Sequence, residues 1–169
     1  LASSFSGQDL IIMERGVRAL KSWTGKANAS IVYDSRVDPF TDQNLFDKVK
    51  GKPNIAVVGF TADGDVFGGF YSVPVTKQEE RFYDPNIFVF SFESHGRCMT
   101  PQRFVVKEGL KDKALVRFWK DSSYGFVWFG VMDAGNFRLG NEKSNSYCCN
   151  MSIGFDGIED MTLTGRNKE

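Results

Sequence analysis

His95, the only histidine of the chain, stands three residues before a thiol in the run Ser94-His95-Gly96-Arg97-Cys98. These are the two side chains most used for metal ligation and for thiol nucleophiles. A structural zinc site calls for about four ligands. The remaining thiols are the adjacent Cys148 and Cys149, and neighbouring cysteines chelate one metal poorly. For nucleophilic chemistry the Cys–His pair lacks a third, orienting group at any recognisable spacing. His95 therefore reads as a polar loop residue, with no metal and no cofactor expected, and His95→Ala is expected to leave stability and metal content unchanged. Arg97 is the one sequence-local cation that would activate Cys98, but adjacent residues on a strand point apart. A thiol-dependent peroxide enzyme is thus the third-ranked reading.

Acidic residues come in pairs as well: Asp34 with Asp38, Asp63 with Asp65, and Asp156 with Glu159 and Asp160. Each pair resembles a general acid with its partner, or a cation site. Asp63 and Asp65 flank Gly64, where turn formation alone accounts for aspartate. The Asp156 group lacks the alternating oxygen ligands of a calcium loop and reads as a solvated turn. Gly125 and Gly130 have phosphate-loop spacing, but no Gly-Lys-Ser/Thr follows and the residues between them read as a strand. No catalytic constellation emerges, and the chain is read as a non-enzyme.

One stretch is locally basic. Arg97, Arg103, Lys107, Lys111, Lys113, Arg117 and Lys120 face only Glu108 and Asp112, with Phe104, Phe118 and Trp119 interleaved. A basic strand-loop-strand of this kind is a candidate for nucleic acid, since two-stranded ribbons enter the major groove. Against this, lysine plus arginine and aspartate plus glutamate each number 21, so the whole molecule offers no field for polyanions. A DNA-binding regulator using residues 97–120 is the alternative reading.

The elements that would position these residues are mostly short strands. At 169 residues, 41% hydrophobic and 14% aromatic with 16 phenylalanines, the chain is expected to form a single domain over 1–169. An N-terminal amphipathic helix is expected over about 6–23, with Ser6 and Asp9 in capping-box spacing and Leu10, Met13, Val17 and Leu20 facing a sheet. A β-rich core is expected over about 31–165. Ile31–Ser35 reads as its first strand. A short helix with Leu45, Phe46 and Val49 inward follows the Asp38-Pro39 turn.

Ile55–Thr61 and Asp65–Val73 flank Asp63-Gly64, the strongest short hairpin signal, and Ile87–Ser91 adds a third strand to make a meander. Gly68 and Gly69 inside a strand mark close approach of another segment. Residues 76–84 read as a charged solvent loop. Further strands are expected at 103–106, 115–119, 126–130, 136–139 and 161–163, and a long surface loop over 140–150. The sum is an α+β, mainly-β fold: a two-sheet antiparallel sandwich flanked by helices. Three cysteines without framework spacing favour a reducing cytoplasm or nucleus. No run is long enough to insert in a membrane.

The hairpin Asp63-Gly64…Val66-Phe67-Gly68-Gly69-Phe70 with Pro74 resembles the central hairpin of TLDc domains. Trp23-Thr24-Gly25-Lys26, Tyr33-Asp34-Ser35, Asp84-Pro85-Asn86, Tyr124-Gly125, Phe129-Gly130, Asp133, Phe137-Arg138-Leu139 and Asn145-Ser146-Tyr147 follow in the family's order. The likeness runs over most of residues 20–165. Residues 145–150 lack the acidic residue of better-known members and resemble an Asn/Ser-rich branch common among protists. The resemblance implies a non-catalytic protein-interaction domain in the oxidative-stress response, with peripheral subunits of the vacuolar proton-pumping ATPase as partner. It singles out Asp63, Gly64, Gly68, Gly69, Tyr124, Gly125, Gly130 and Phe137.

Overall fold

The computed structural model describes residue 5 and residues 7–121, 123–141, 143–159 and 161–163. Two antiparallel sheets dominate. The first has four strands in the order β1 (Ile55–Phe60), β2 (Val66–Tyr71), β4 (Phe88–Glu93), β5 (Gln102–Val105). The second has five: β3 (Phe82–Tyr83), β6 (Ala114–Phe118), β7 (Val127–Val131), β8 (Asn136–Leu139) and β9 (Tyr147–Cys149). Helix α1 (Gly7–Thr24) lies on the first sheet, α2 (Asp42–Val49) packs into the core, and a single turn, α3 (Met151–Gly154), follows β9. The mainly-β α+β sandwich expected from the sequence is the observed architecture.

Strand alternation divides the apolar side chains into two layers. Phe67 and Tyr71 of β2 and Val89 of β4 face the second sheet, where Val116, Phe118, Val127, Phe129, Phe137 and Cys148 meet them. Val66, Phe70, Phe88, Phe90 and Phe92 face outward and are covered by Ile12 and Met13 of α1. Gly16 makes that cover close, since a Cβ there would lie 2.2 Å from the Phe92 ring.

The two glycines of β2 act on opposite faces. A Cβ on Gly69 would lie 2.6 Å from the ring of Phe129, so the second sheet settles directly on this backbone. A Cβ on Gly68 would lie 1.9 Å from the carbonyl oxygen of Val57 and 2.7 Å from Phe90. Gly68 lets neighbouring strands fit, and Gly69 sets the gap between sheets.

A buried carboxylate ties the sheets at one end. Asp84 is fully buried; its carboxylate accepts from the backbone N–H and the hydroxyl of Ser72, just after β2, and from the N–H of Asn86. Its own N–H donates to Ala114 in the second sheet. Tyr71, also fully buried, has a hydroxyl with no hydrogen-bond partner among the described residues, and burial pushes its ionisation well up.

Several expectations are corrected. Residues 31–35 form no strand, because Asp34 organises a turn: its carbonyl accepts from the N–H groups of Val37 and Asp38, and Asp38 Oδ2 accepts from the Asp34 N–H. Such local bonds compete with pairing to a sheet. The Arg36 guanidinium bound to Asp34 holds that carboxyl down at about 2, so the tie is lost only as pH falls through that value. Residues 76–84 are not wholly a solvent loop, since β3 lies within them and Asp84 is buried. The supposed surface loop 140–150 contains β9, with Cys148 buried. Residues 161–163 are a turn. Ser6 of the capping box lies outside the described residues, and Asp9 sits in the first turn of α1.

Gly69→Ala should lower stability by about 1–3 kcal/mol through overpacking against Phe129, with part of the loss recovered in Gly69→Ala/Phe129→Leu on thermal unfolding. Tyr71→Phe, which removes a buried hydroxyl lacking a partner, should raise stability by about 1 kcal/mol; a fall in Tm would show that the hydroxyl is hydrated in place.

Candidate functional site

The tip of the first hairpin is built by its own polar groups. Gly64, at φ +87°, donates its N–H to the Thr61 carbonyl, Thr61 donates to the Asp65 carbonyl, and the Asp65 N–H donates to the Thr61 hydroxyl. This places the Asp65 side chain inward, 3% exposed. Its Oδ1 accepts from His95 Nδ1 at 2.8 Å and from Arg97 Nη2 at 2.6 Å. The carboxylate fixes the imidazole with its proton on Nδ1.

The loop after β4 is shaped to deliver those donors. Glu93 accepts from the N–H groups of Ser94 and His95, and holds His95 in the left-handed region at φ 48°. Gly96 continues the turn at φ 90°, and the Ser94 hydroxyl accepts from the Cys98 N–H. Arg97 then reaches past Asp65 and donates to the carbonyls of Thr162 and Leu163. Arg97 thus links the Asp65 carboxylate to residues 162 and 163. His95 is a polar residue of this turn, its ring bound to Asp65, and the strand geometry assumed for Arg97 and Cys98 is corrected, since both lie in the same loop.

An aspartate-bound imidazole is the orienting half of a general base. Here it serves to join loops: Cys98 packs against the main core, and among the described residues no three metal-ligating side chains gather. The acid pairs likewise go to turns. Asp34 bonds Arg36, Asp38 pairs with Lys48, and Asp63 lies exposed on the hairpin tip.

The basic strip is taken apart by the fold. β5 and β6 belong to different sheets, so no two-stranded ribbon exists. Arg97 is bound to Asp65, Arg103 donates to the Trp23 carbonyl, and Lys107 donates to the Ser152 carbonyl. Lys111 pairs with Glu108 and Arg117 with Glu79, whose carboxylate also accepts from the Lys120 N–H. Lys113 is the last residue of the 3-10 turn of residues 108–113, immediately before β6.

The resemblance positions divide between core and surface. Gly68, Gly69 and Phe137 are interior, and Gly125, at φ 107°, passes close to the Leu139 carbonyl. Tyr124 and Gly130 belong to the outer face of the second sheet. There Arg117, Trp128, Arg138 and Tyr147 stand side by side on four consecutive strands. The Arg117 guanidinium lies 3.8 Å from the Trp119 ring, Trp119 and Tyr124 are 5.1 Å apart, and Arg138 lies within 5.8 Å of Tyr124, Trp128 and Tyr147. A Cβ on Gly130 would collide with the Trp128 indole at 2.3 Å, so the glycine lets the indole lie flat. None of these four was grouped from sequence. The signal was their odd-even alternation with core residues, but only strand register reveals the row.

This face joins planar aromatic and guanidinium groups, the side chains enriched at the centres of protein interfaces. The internal polar groups of this two-sheet domain tie loops together, and the row lies on the broad outer face of its second sheet. The chain belongs to the TLDc domain family, whose profile matches residues 10–126. It is accordingly an oxidative-stress-related regulatory domain of a family generally regarded as non-catalytic. The matched stretch ends where β7 begins, before the strands that carry Trp128, Arg138 and Tyr147. A search of curated proteins returned no match.

Arg97→Ala should destabilise by about 2 kcal/mol, because it strips a charged donor from a buried carboxylate, and should cost more than His95→Ala, whose ring is half in solvent. Equal effects on chemical denaturation would show that Arg97 is replaced there by water.

Proposed function

We propose that the domain acts without catalysis, as a protein-binding regulator in the oxidative-stress response, with peripheral subunits of the vacuolar proton-pumping ATPase as its partner. Membership of the TLDc family is the observation that carries this reading. The geometry supports it through the outer face of the second sheet, where Trp119, Trp128 and Arg138, each partly exposed, pack in a row with the exposed Tyr124. On this reading the protein works in the cytoplasm, with the nucleus as a further location, in keeping with three cysteines that form no disulfide framework. No helix among the described residues is long and apolar enough to cross a membrane.

Aromatic anchors next to arginine make the few contacts on which most binding energy depends. Affinity capture with the purified chain, from lysate with and without peroxide and with nuclease in parallel, should recover pump subunits whatever the nuclease treatment. Tyr124→Ala and Arg138→Glu should each weaken capture roughly tenfold or more, while Glu14→Ala on α1 leaves it unchanged. Recovery of nucleic-acid-bound proteins alone, lost on nuclease treatment and steeply with salt, would overturn the reading in favour of the DNA-binding alternative.

A further inference from the structure

β1 is an edge of the four-stranded sheet, and its six residues, Ile-Ala-Val-Val-Gly-Phe, contain neither charge nor proline. Edge strands of this kind are usually guarded by a lysine, a proline or a bulge, because their free backbone groups invite another strand. Its neighbour β2 is buried at every position, whereas β1 is half-exposed from Ile55 to Gly59 and Phe60 is 45% exposed. Half of the N–H and C=O groups of β1 point towards β2. The others point away, and no loop or side chain among the described residues bonds them.

We infer that β1 pairs antiparallel with β1 of a second copy of this chain, across a two-fold axis. The charges at its ends select both the orientation and the occupant. Lys50 and Lys52 precede the strand and Asp63 follows it, all on the surface. Antiparallel pairing brings the basic end of each copy beside the acidic end of the other, twice over, whereas parallel pairing would set like charges together. The side chains are self-complementary as well. Ala56 and Val58 extend the layer beneath α1, and Ile55 and Val57 extend the layer between the sheets, so both apolar layers continue through the axis. The two four-stranded sheets become one continuous sheet, and the edge disappears. This surface is distinct from the outer face of the second sheet, so the two can be occupied together.

Sedimentation of the full chain over a range of concentrations, with amide hydrogen exchange on the same samples, tests the pairing. The expected result is a dimer in which protection of the β1 amides rises with concentration. Lys52→Glu and Asp63→Lys should each weaken dimerisation roughly tenfold, and the double variant should restore it, because the swapped charges again face opposite partners. Both sites are exposed, so an unchanged circular dichroism spectrum separates lost pairing from lost folding. A chain that stays monomeric at every concentration would overturn the inference. So would a dimer protected elsewhere, a double variant no better than the singles, or β1 amides protected only after addition of a different protein.

Discussion

The contact between the Phe129 ring and the backbone of Gly69 sets the spacing on which the rest of the molecule depends. Two sheets of phenylalanine-rich strands do not pack closely by side-chain bulk alone; somewhere a large residue needs a hollow opposite it. Gly69 is that hollow, and Tyr71 and Phe137 pack around the ring that fills it. With the gap fixed there, Phe67 meets Phe137 edge-on and Phe118 lies between Tyr71 and Phe46 of α2. The same device recurs one layer out, where Gly16 seats α1 on Phe92. Aromatic bulk provides the apolar area, and glycine decides where it can be brought together.

Two buried carboxylates complete the frame, and they do so by similar means. Asp84 joins the end of β2 to β6, and Asp65 joins the hairpin tip to the loop after β4 and to residues 162 and 163. In each case an aspartate taken out of water accepts from a segment distant from it in sequence, Ser72 for Asp84 and the His95–Arg97 loop for Asp65. A buried charge tolerates few alternative arrangements, so such points confer a single geometry more than they add net stability. The residues that most resembled chemistry, His95, Arg97 and Asp65, are for this reason explained by architecture.

What could be read from the residues was whatever leaves a local trace. Asp63-Gly64 between apolar runs marks its hairpin, Leu45, Phe46 and Val49 mark the inward face of α2, and the paired glycines announce close packing before the partner is known. What escaped is what depends on distant partners. Ile31–Ser35 alternates like a strand, yet the hydrogen bonds of Asp34 turn the chain away. β3 and β9 are two and three residues long, too short for any period to show. The row of Arg117, Trp128, Arg138 and Tyr147 exists only once four strands are in register, and Asp65 finds His95 across thirty positions of chain.

The reach of Arg97 to the carbonyls of Thr162 and Leu163 also has a bearing on biosynthesis. Contacts that span some 65 residues cannot form until the later segment has left the ribosome, and Leu163 is fully buried once in place. The first hairpin and β4 are made early but stay without their tether while β6 to β9 are still being translated. During that interval the apolar face awaiting Phe129 and Phe137 is open to solvent. Exposed apolar strands of an incomplete chain are prone to aggregate, and the contacts that Arg97 makes close this face only once residues 162 and 163 have arrived.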